Sequence, residues 1–411
     1  MLIIYRILIN FIFLLSPIII FLRLIKKKED PKRFLEKFNF FSEKRKKGNL
    51  IWFHGASVGE LQSIIPLVEK FEKDKNINQI LITSNTLSSS KIIQKQNLKK
   101  TIHQFFPIDT NFISRKFIDY WKPSKAFFID SEIWPNMIFN LKKKNIPIVL
   151  VNGRITRKTF RRWKVLNNFS NTIFSNFDLC LSSTKESFRF LKKLNVKKVK
   201  FLGNLKFAQS ENENLFLDKR INNYLKSKRA WCASSTHDTE ELISGMAHLE
   251  LKKNIKNLIT IIIPRHIERS NDIKNNLESL NLKVHLDEPF TKIAINTDIY
   301  LVNSYGKTKS FYRRIKNVFL GGSLIKHGGQ NPLEAVRYGC KILHGPNVDN
   351  FKEIYHFLKK IRVSNKIINQ KDLVYNLKKL LSKKDNNKKI QKKLKTIGQK
   401  ILNNTYKEIK L

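Results

Sequence analysis

The feature that most constrains this 411-residue chain is a regular alternation of short apolar runs with amphipathic ones. From about residue 40, strand-like runs fall at 49–54, 79–84, 125–130, 146–152 and 198–203. Helix-like runs lie between them, at 60–73, 112–121, 134–144 and 185–194. Apolar strands separated by helices are the pattern of a mostly parallel sheet, because each crossover lays a helix over the strands. A polar stretch from Gln209 to Lys228 interrupts the order, which then restarts. Strands are expected near 230–234, 258–263, 282–286, 299–302, 317–320 and 341–344, with helices near 238–252, 268–279, 332–338 and 350–360. The prediction is therefore an α/β chain of two doubly wound halves of similar size. The domains expected are 40–207 and 229–411, joined by a linker over 208–228. Two such halves are expected to face a cleft where two substrates meet. The closing run, 366–411, is rich in Lys and Asn but keeps Leu373, Leu377, Leu380 and Leu381 at helical spacing. It is expected to pack as helix, not to trail as a tail.

Ahead of the first half stands LIIYRILINFIFLLSPIIIFLRLI, residues 2–25. Its uncharged part, Ile7 to Leu22, is roughly 24 Å long as a helix, at ~1.5 Å per residue. That is short of a ~30 Å bilayer core, but Arg6 and Arg23 can reach the two interfaces. No small-residue cleavage site follows, so a secretory signal is disfavoured. Lys26, Lys27, Lys28, Lys32 and Arg33 follow instead, a cluster that stays cytoplasmic and attracts acidic lipid. The expectation for 1–28 is an uncleaved spanning anchor with a basic flank, in preference to a helix lying in the interface.

The formal net charge is +46, from 79 Lys+Arg against 33 Asp+Glu. Such an excess points to an anionic partner: nucleic acid, anionic membrane or phosphorylated substrate. The chain is equally rich in Ile, Asn and Phe, as an AT-rich genome would produce, so part of the lysine excess is as well explained by codon drift. Cys180, Cys232 and Cys340 are widely separated and make no metal-type spacing. Neither a disulfide framework nor zinc is suggested, and a reducing cytosol fits.

Chemistry-bearing residues fall at the carboxyl ends of the expected strands, the edge at which open α/β sheets bind ligands. His54-Gly55-Ala56-Ser57-Val58-Gly59-Glu60 follows the first strand and opens a helix. Glu60 is either a positioned acid or the third residue of an S-x-x-E capping box, and a helix N-terminus favours its ionised form. Asp130-Ser131-Glu132-Ile133-Trp134-Pro135-Asn136 puts Glu132 on the same sheet edge, with N-capping by Ser131 or Asp130 as the alternative. Lys206, in GNLKF, ends the last strand of the first half. Arg265 and His266 end the strand near 258–263, and an Arg there suits bidentate phosphate recognition. VFLGGSLIKHGGQNPLEAVRYG, 318–339, joins a strand to a glycine-rich loop and a helix opened by Asn331, Pro332, Leu333 and Glu334. Asn as cap, Pro first and Glu third make a well-formed helix start. The glycines are expected to let a ligand approach backbone N–H groups there. Neither a GxGxxG fingerprint nor a Walker loop is present, which disfavours NAD and ATP chemistry.

Taken in order, HGASVGE, SEIWPN, VNGRI, GNLKF, PRH and GGSLIKHGGQNPLEA behind an apolar N-terminus resemble the bacterial lipid A Kdo transferases. These are the 3-deoxy-D-manno-octulosonic acid transferases of lipopolysaccharide synthesis, and the similarity covers nearly the whole chain. The resemblance implies a GT-B glycosyltransferase of two Rossmann-like domains, without a cofactor or bound catalytic metal. It implies CMP-Kdo as donor, lipid IVA as acceptor, inversion at the sugar, and a site at the cytoplasmic face of the inner membrane. By resemblance Glu60 is the general base, and Glu132 and Lys206 stabilise the transition state. CMP contacts are implied for Arg265, His266 and Asn331 through Glu334. A further CMP segment falls on Tyr305, Gly306 and Lys307, where the family commonly has Met-Gly-Glu and only the glycine is kept. Two other readings remain: another membrane-anchored GT-B enzyme using a nucleotide sugar, or a basic, membrane-tethered nucleic-acid-binding protein. The latter needs a basic stripe with interleaved aromatics, and the lysines are dispersed, so no nucleic-acid partner is expected.

Overall fold

The computed structural model describes residues 1–209, 216–382 and 387–410. These form two compact units: Met1–Gln209 with Ile397–Leu411, and Ser210–Thr396. The expected linker falls partly on 210–215, outside the described residues; its remainder includes a short helix, Lys219–Tyr224. The second domain was expected to run to 411. Instead, the final helix, Asn387–Ile409, gives its last part to the first unit.

The first unit is built on seven strands: β1 (Leu50–His54), β2 (Gln79–Ser84), β3 (Thr101–Phe105), β4 (Lys125–Ile129), β5 (Ile148–Gly153), β6 (Leu179–Ser182) and β7 (Val199–Phe201). They lie in the order β3-β2-β1-β4-β5-β6-β7, and every described pair is parallel. All five residues of β1 are buried, as a strand covered on both faces requires. Its side chains alternate between two cores. Trp52 packs with Phe128 and Leu150 on one face, and Ile51 and Phe53 pack with Phe127, Ile129 and Val151 on the other. Ile401, Leu402 and Ile409 of the final helix complete the second of these cores. The packed C-terminal helix that Leu373, Leu377 and their neighbours predicted is two helices, Gln370–Leu381 and Asn387–Ile409.

The second unit repeats the plan with β8 (Arg229–Thr236), β9 (Leu258–Pro264), β10 (Val284–Leu286), β11 (Ile299–Leu301), β12 (Asn317–Leu320), β13 (Lys341–His344) and β14 (Ser364–Lys366). Their order is β10-β11-β9-β8-β12-β13-β14, again parallel. Trp231, Ile262, Phe319 and Leu343 make the sheet's share of its core. In each sheet the chain leaves in opposite directions from one central pair, β1/β4 and β8/β12. Such switch points open a crevice at the carboxyl ends of the strands.

At the start of the first unit stands Leu2–Ile25, among the described residues the one helix long and apolar enough to cross a membrane by length and composition. Cys180, Cys232 and Cys340 are buried and none of them is in a disulfide.

Candidate active site

In the first unit the switch point carries the acids that the sequence singles out. Glu60 stands in the first turn of the helix Val58–Glu72, directly after β1. The capping-box geometry is real. Ser57 Oγ accepts from the Glu60 N–H at 3.4 Å and donates to Glu60 Oε1 at 2.9 Å, while the Ala56 N–H donates to Oε2 at 2.8 Å. These bonds favour the carboxylate, yet the Glu60 carboxyl is pushed up to about 7. Burial is the main cause, followed by the negative charges of Glu132 and Asp130. Glu60 thus belongs to the capping box and keeps a raised proton affinity: the cap fixes the acid, and burial with the neighbouring acids holds its proton.

Glu132 follows β4, the neighbour of β1. Burial pushes its carboxyl up, but His54 and Trp134 outweigh that and hold it low. Trp134 Nε1 donates to Glu132 Oε2 at 2.9 Å, and His54 Nε2 approaches the same oxygen at 3.3 Å, off the line of a good hydrogen bond. His54 is itself fully buried, with Nδ1 3.0 Å from Thr83 Oγ1, which also accepts from Trp52 Nε1. Desolvation lowers the His54 pKa, against the opposing pull of the Glu132 carboxylate. One edge thus holds two carboxylates whose environments drive them apart, the usual sign of one proton-transfer group and one permanent charge.

Lys206 reaches this edge from the far side of the sheet. Past β7 the chain turns back, and the Leu205 N–H donates to Asn152 Oδ1 at the end of β5 (2.9 Å). Asn152 Nδ2 in turn bonds Asp130 Oδ1, and Lys206 Nζ lies 3.8 Å from Asp130 Oδ2. Asp130 and Asn152 hold left-handed backbone, at φ 54° and 57°. Such strain clusters at functional sites. Sequence reasoning named Asp130 only as a possible cap and left out Asn152 and His54. The last lay in plain view, ending β1 inside HGASVGE.

In the second unit Arg265 follows β9 and His266 comes next, both exposed, with the Arg265 N–H bonded to Thr236 O at 2.9 Å. The His266 ring lies 5.7 Å from that of His237, which lies 4.2 Å from that of His327. His237 is 8% exposed and its Nε2 has no partner among the described residues. Burial first, then His327, His266, Arg265 and Arg269, lower its pKa to about 4. A neutral ring nitrogen among cations suits an incoming anion. His237 and His327 were missed. The signal for His237 was its place in Ser235-Thr236-His237-Asp238, just after a strand, as His54 stands in its own motif.

The glycine-rich loop departs from expectation. Its N–H groups were expected to be open to a ligand. Instead the fully buried Glu240 accepts from Gly322 (2.6 Å), Ser323 (3.1 Å), Leu324 (3.0 Å) and His237 (3.0 Å). The Gly321 N–H is taken by Ser234 O, and that of Gly329 by Gly322 O. Gly321 is needed for packing, since a Cβ there would stand 2.5 Å from Ser235 O. The helix expected over 332–338 is shorter, Leu333–Arg337, and Asn331 Oδ1 accepts from the Leu333 N–H at 3.1 Å. Pro332 precedes it and Glu334 lies in its first turn. Of the divergent segment, Tyr305 Oη donates to Glu268 Oε1 (3.1 Å) and Lys307 Nζ bonds Asp287 Oδ2 (2.6 Å). The lysine that replaces the family's acid is thus balanced by an acid of this chain. Gly306, at φ 87°, has open space about its Cα.

Two all-parallel, doubly wound units of seven strands define the GT-B class, shared by nucleotide-sugar transferases and epimerases. The UDP-GlcNAc 2-epimerase of Neisseria meningitidis, solved with UDP-GlcNAc, has this fold: TM-score 0.58, 12% identity, covering 88% of this chain and 100% of that one. Sequence narrows the class. Residues 32–209 match the 3-deoxy-D-manno-octulosonic-acid transferase (kdotransferase) family. The 3-deoxy-D-manno-octulosonic acid transferase of Rickettsia bellii is 34% identical over 349 residues, covering 83% of this chain and 82% of the relative. That of Haemophilus influenzae is 29% identical, covering 76% and 74%. The chain belongs to the Kdo transferase family and is a glycosyltransferase.

Proposed function

We propose that this chain moves Kdo from CMP-Kdo to the lipid A precursor lipid IVA, with inversion, at the cytoplasmic face of the inner membrane. The observation that carries the chemistry is the pair of acids on one sheet edge, Glu60 pushed up to about 7 and Glu132 held low. A base with a pKa near the working pH is the more effective one. Glu60 takes the proton of the acceptor hydroxyl as its oxygen bonds to the anomeric carbon of Kdo. The bond from that carbon to the phosphate oxygen breaks, and CMP leaves with the electron pair. Positive charge that develops at the sugar ring is met by ionised Glu132, and negative charge on the leaving phosphate by Lys206 and Arg265. The nucleotide is assigned to Arg265, His266, Gly306 and the Asn331–Glu334 segment. Tyr305 and Lys307 contribute through the turn they frame, since Glu268 and Asp287 engage their side chains.

The test is an assay with CMP-Kdo and lipid IVA, the lipid product read by mass. Wild type is expected to add Kdo. Glu60→Gln is expected to fold and bind CMP normally and to lose ~10²–10⁴-fold in kcat, the usual contribution of a positioned base. A near-normal rate in that variant would return Glu60 to a purely capping role.

A further inference from the structure

We propose that the helix Leu2–Ile25 lies in the plane of an anionic membrane surface, one face docked on the first unit and the other immersed in lipid, and does not cross the bilayer. The sequence favours a crossing anchor; the contacts of the helix favour the in-plane one. This proposal concerns attachment and does not depend on which sugar is moved.

The helix is two-faced despite its uniformly apolar composition. Tyr5, Ile9, Phe13, Ser16, Ile20 and Arg23, spaced three and four apart, are wholly or partly covered by the folded unit. Ile4, Ile7, Phe11, Leu14, Ile18 and Phe21, on the opposite stripe, are 52–73% exposed. The covered stripe is fastened along its length. Near the start, Tyr5 Oη donates to Asp109 Oδ2 (2.8 Å), and Arg6 donates to Asn136 Oδ1 (3.0 Å) and Asn111 Oδ1 (3.3 Å). Midway, the Phe13 ring meets Phe38 at 5.8 Å. At the end, Arg23 pairs with the buried Glu29 at 2.6 Å, which Lys37 also binds at 2.6 Å.

Twenty-four residues of helix are about 36 Å long, at ~1.5 Å each, and a span needs ~30 Å of them in hydrocarbon. Here both ends are bonded to one folded unit. Crossing would either tear those bonds or carry Asp109, Asn111 and Asn136 into lipid, where polar groups are costly. Lying flat, the helix keeps them and still buries its outer stripe, as interfacial helices do.

Charge agrees. Exposed Lys26, Lys27 and Lys28 follow the helix. Near its start, Phe169 stands 6.5 Å from Tyr5, next in the chain to a helix, Arg157–Val165, that has five Lys/Arg and no buried residue. An in-plane helix sets both basic groups against the headgroups of one leaflet, where cations are attracted to anionic lipid. Asp109 also accepts from the Asn136 N–H (3.0 Å) and the Met137 N–H (2.8 Å), at the start of the helix that follows Glu132. Membrane seating and the Glu132 segment are thus joined through one carboxylate.

Topology decides the matter. The native cysteines are buried, so in the full-length chain a cysteine inserted after Met1, or Lys28→Cys, is read alone by a membrane-impermeant maleimide. Both are expected to label within about twofold of each other from the cytoplasmic face, normalised to labelling in detergent. Purified protein is also expected to bind vesicles containing phosphatidylglycerol at least ~10-fold more tightly than neutral ones. Labelling of the two positions from opposite faces, or equal binding to both vesicles, would overturn the proposal.

Discussion

At the scale of single residues, proton affinity is set by what surrounds each acid. Glu60 has its folded value near 7, above the ordinary 4.5. The folded state therefore holds a proton that the unfolded chain releases, and stability contributed by the neutral acid is lost as pH rises from about 4.5 through 7. Two outcomes follow. The rate should climb with pH through about 7, as the base ionises, and Glu60→Gln should lack that rise. The same variant should be more stable than wild type at pH 8 by roughly 1–3 kcal/mol, and equal to it at pH 4, by thermal melts at each pH. His54 acts through Glu132. His54→Leu leaves only Trp134 to offset burial of the acid, so its carboxyl should rise. If that rise is about one unit, the acid limb that Glu132 sets in the pH–rate profile should move up by about one unit, with the rate near neutral pH and CMP affinity unchanged. None of this was legible in HGASVGE. The motif places Glu60 at a helix start, which by itself predicts a lowered pKa, and only the neighbouring acids and burial reverse the sign.

At the scale of elements, the strongest device is the Glu240 clamp on the loop after β12. One carboxylate accepts four N–H groups. Glu240→Gln puts an amide donor against two of them, which should cost about 2–4 kcal/mol and weaken CMP binding, read by denaturation and calorimetry. The glycine loop was visible in sequence, but its partner lies some 80 residues upstream and only the fold joins them. Strands show the same division. Runs such as Leu258 to Ile263 are apolar but for Thr260 because they are central, and the sequence announces them. Thr101–Phe105 and Ser364–Lys366 were missed because they stand at sheet edges, where polar residues are tolerated and periodicity fades. Leu179–Ser182 was missed because four residues are too few for a pattern.

At the scale of the whole molecule, the chain's end returns to its first unit. Leu402 is 4% exposed within that unit's core. Leu402→Ala should destabilise the first unit by about 2–5 kcal/mol while CMP binding by the second is retained, read by denaturation and titration of the same sample. The sequence by itself determined that the chain is α/β in two halves, that acids end two strands of the first, and which family the ordered motifs resemble. These are written locally, because burial periodicity and turn chemistry depend on residues a few places apart. Tertiary structure alone decided the strand order, the return of the final helix, the Glu240 clamp, the docking of the N-terminal helix and the opposite proton affinities of Glu60 and Glu132. Each depends on distance and desolvation between residues far apart in the chain, which no local pattern records.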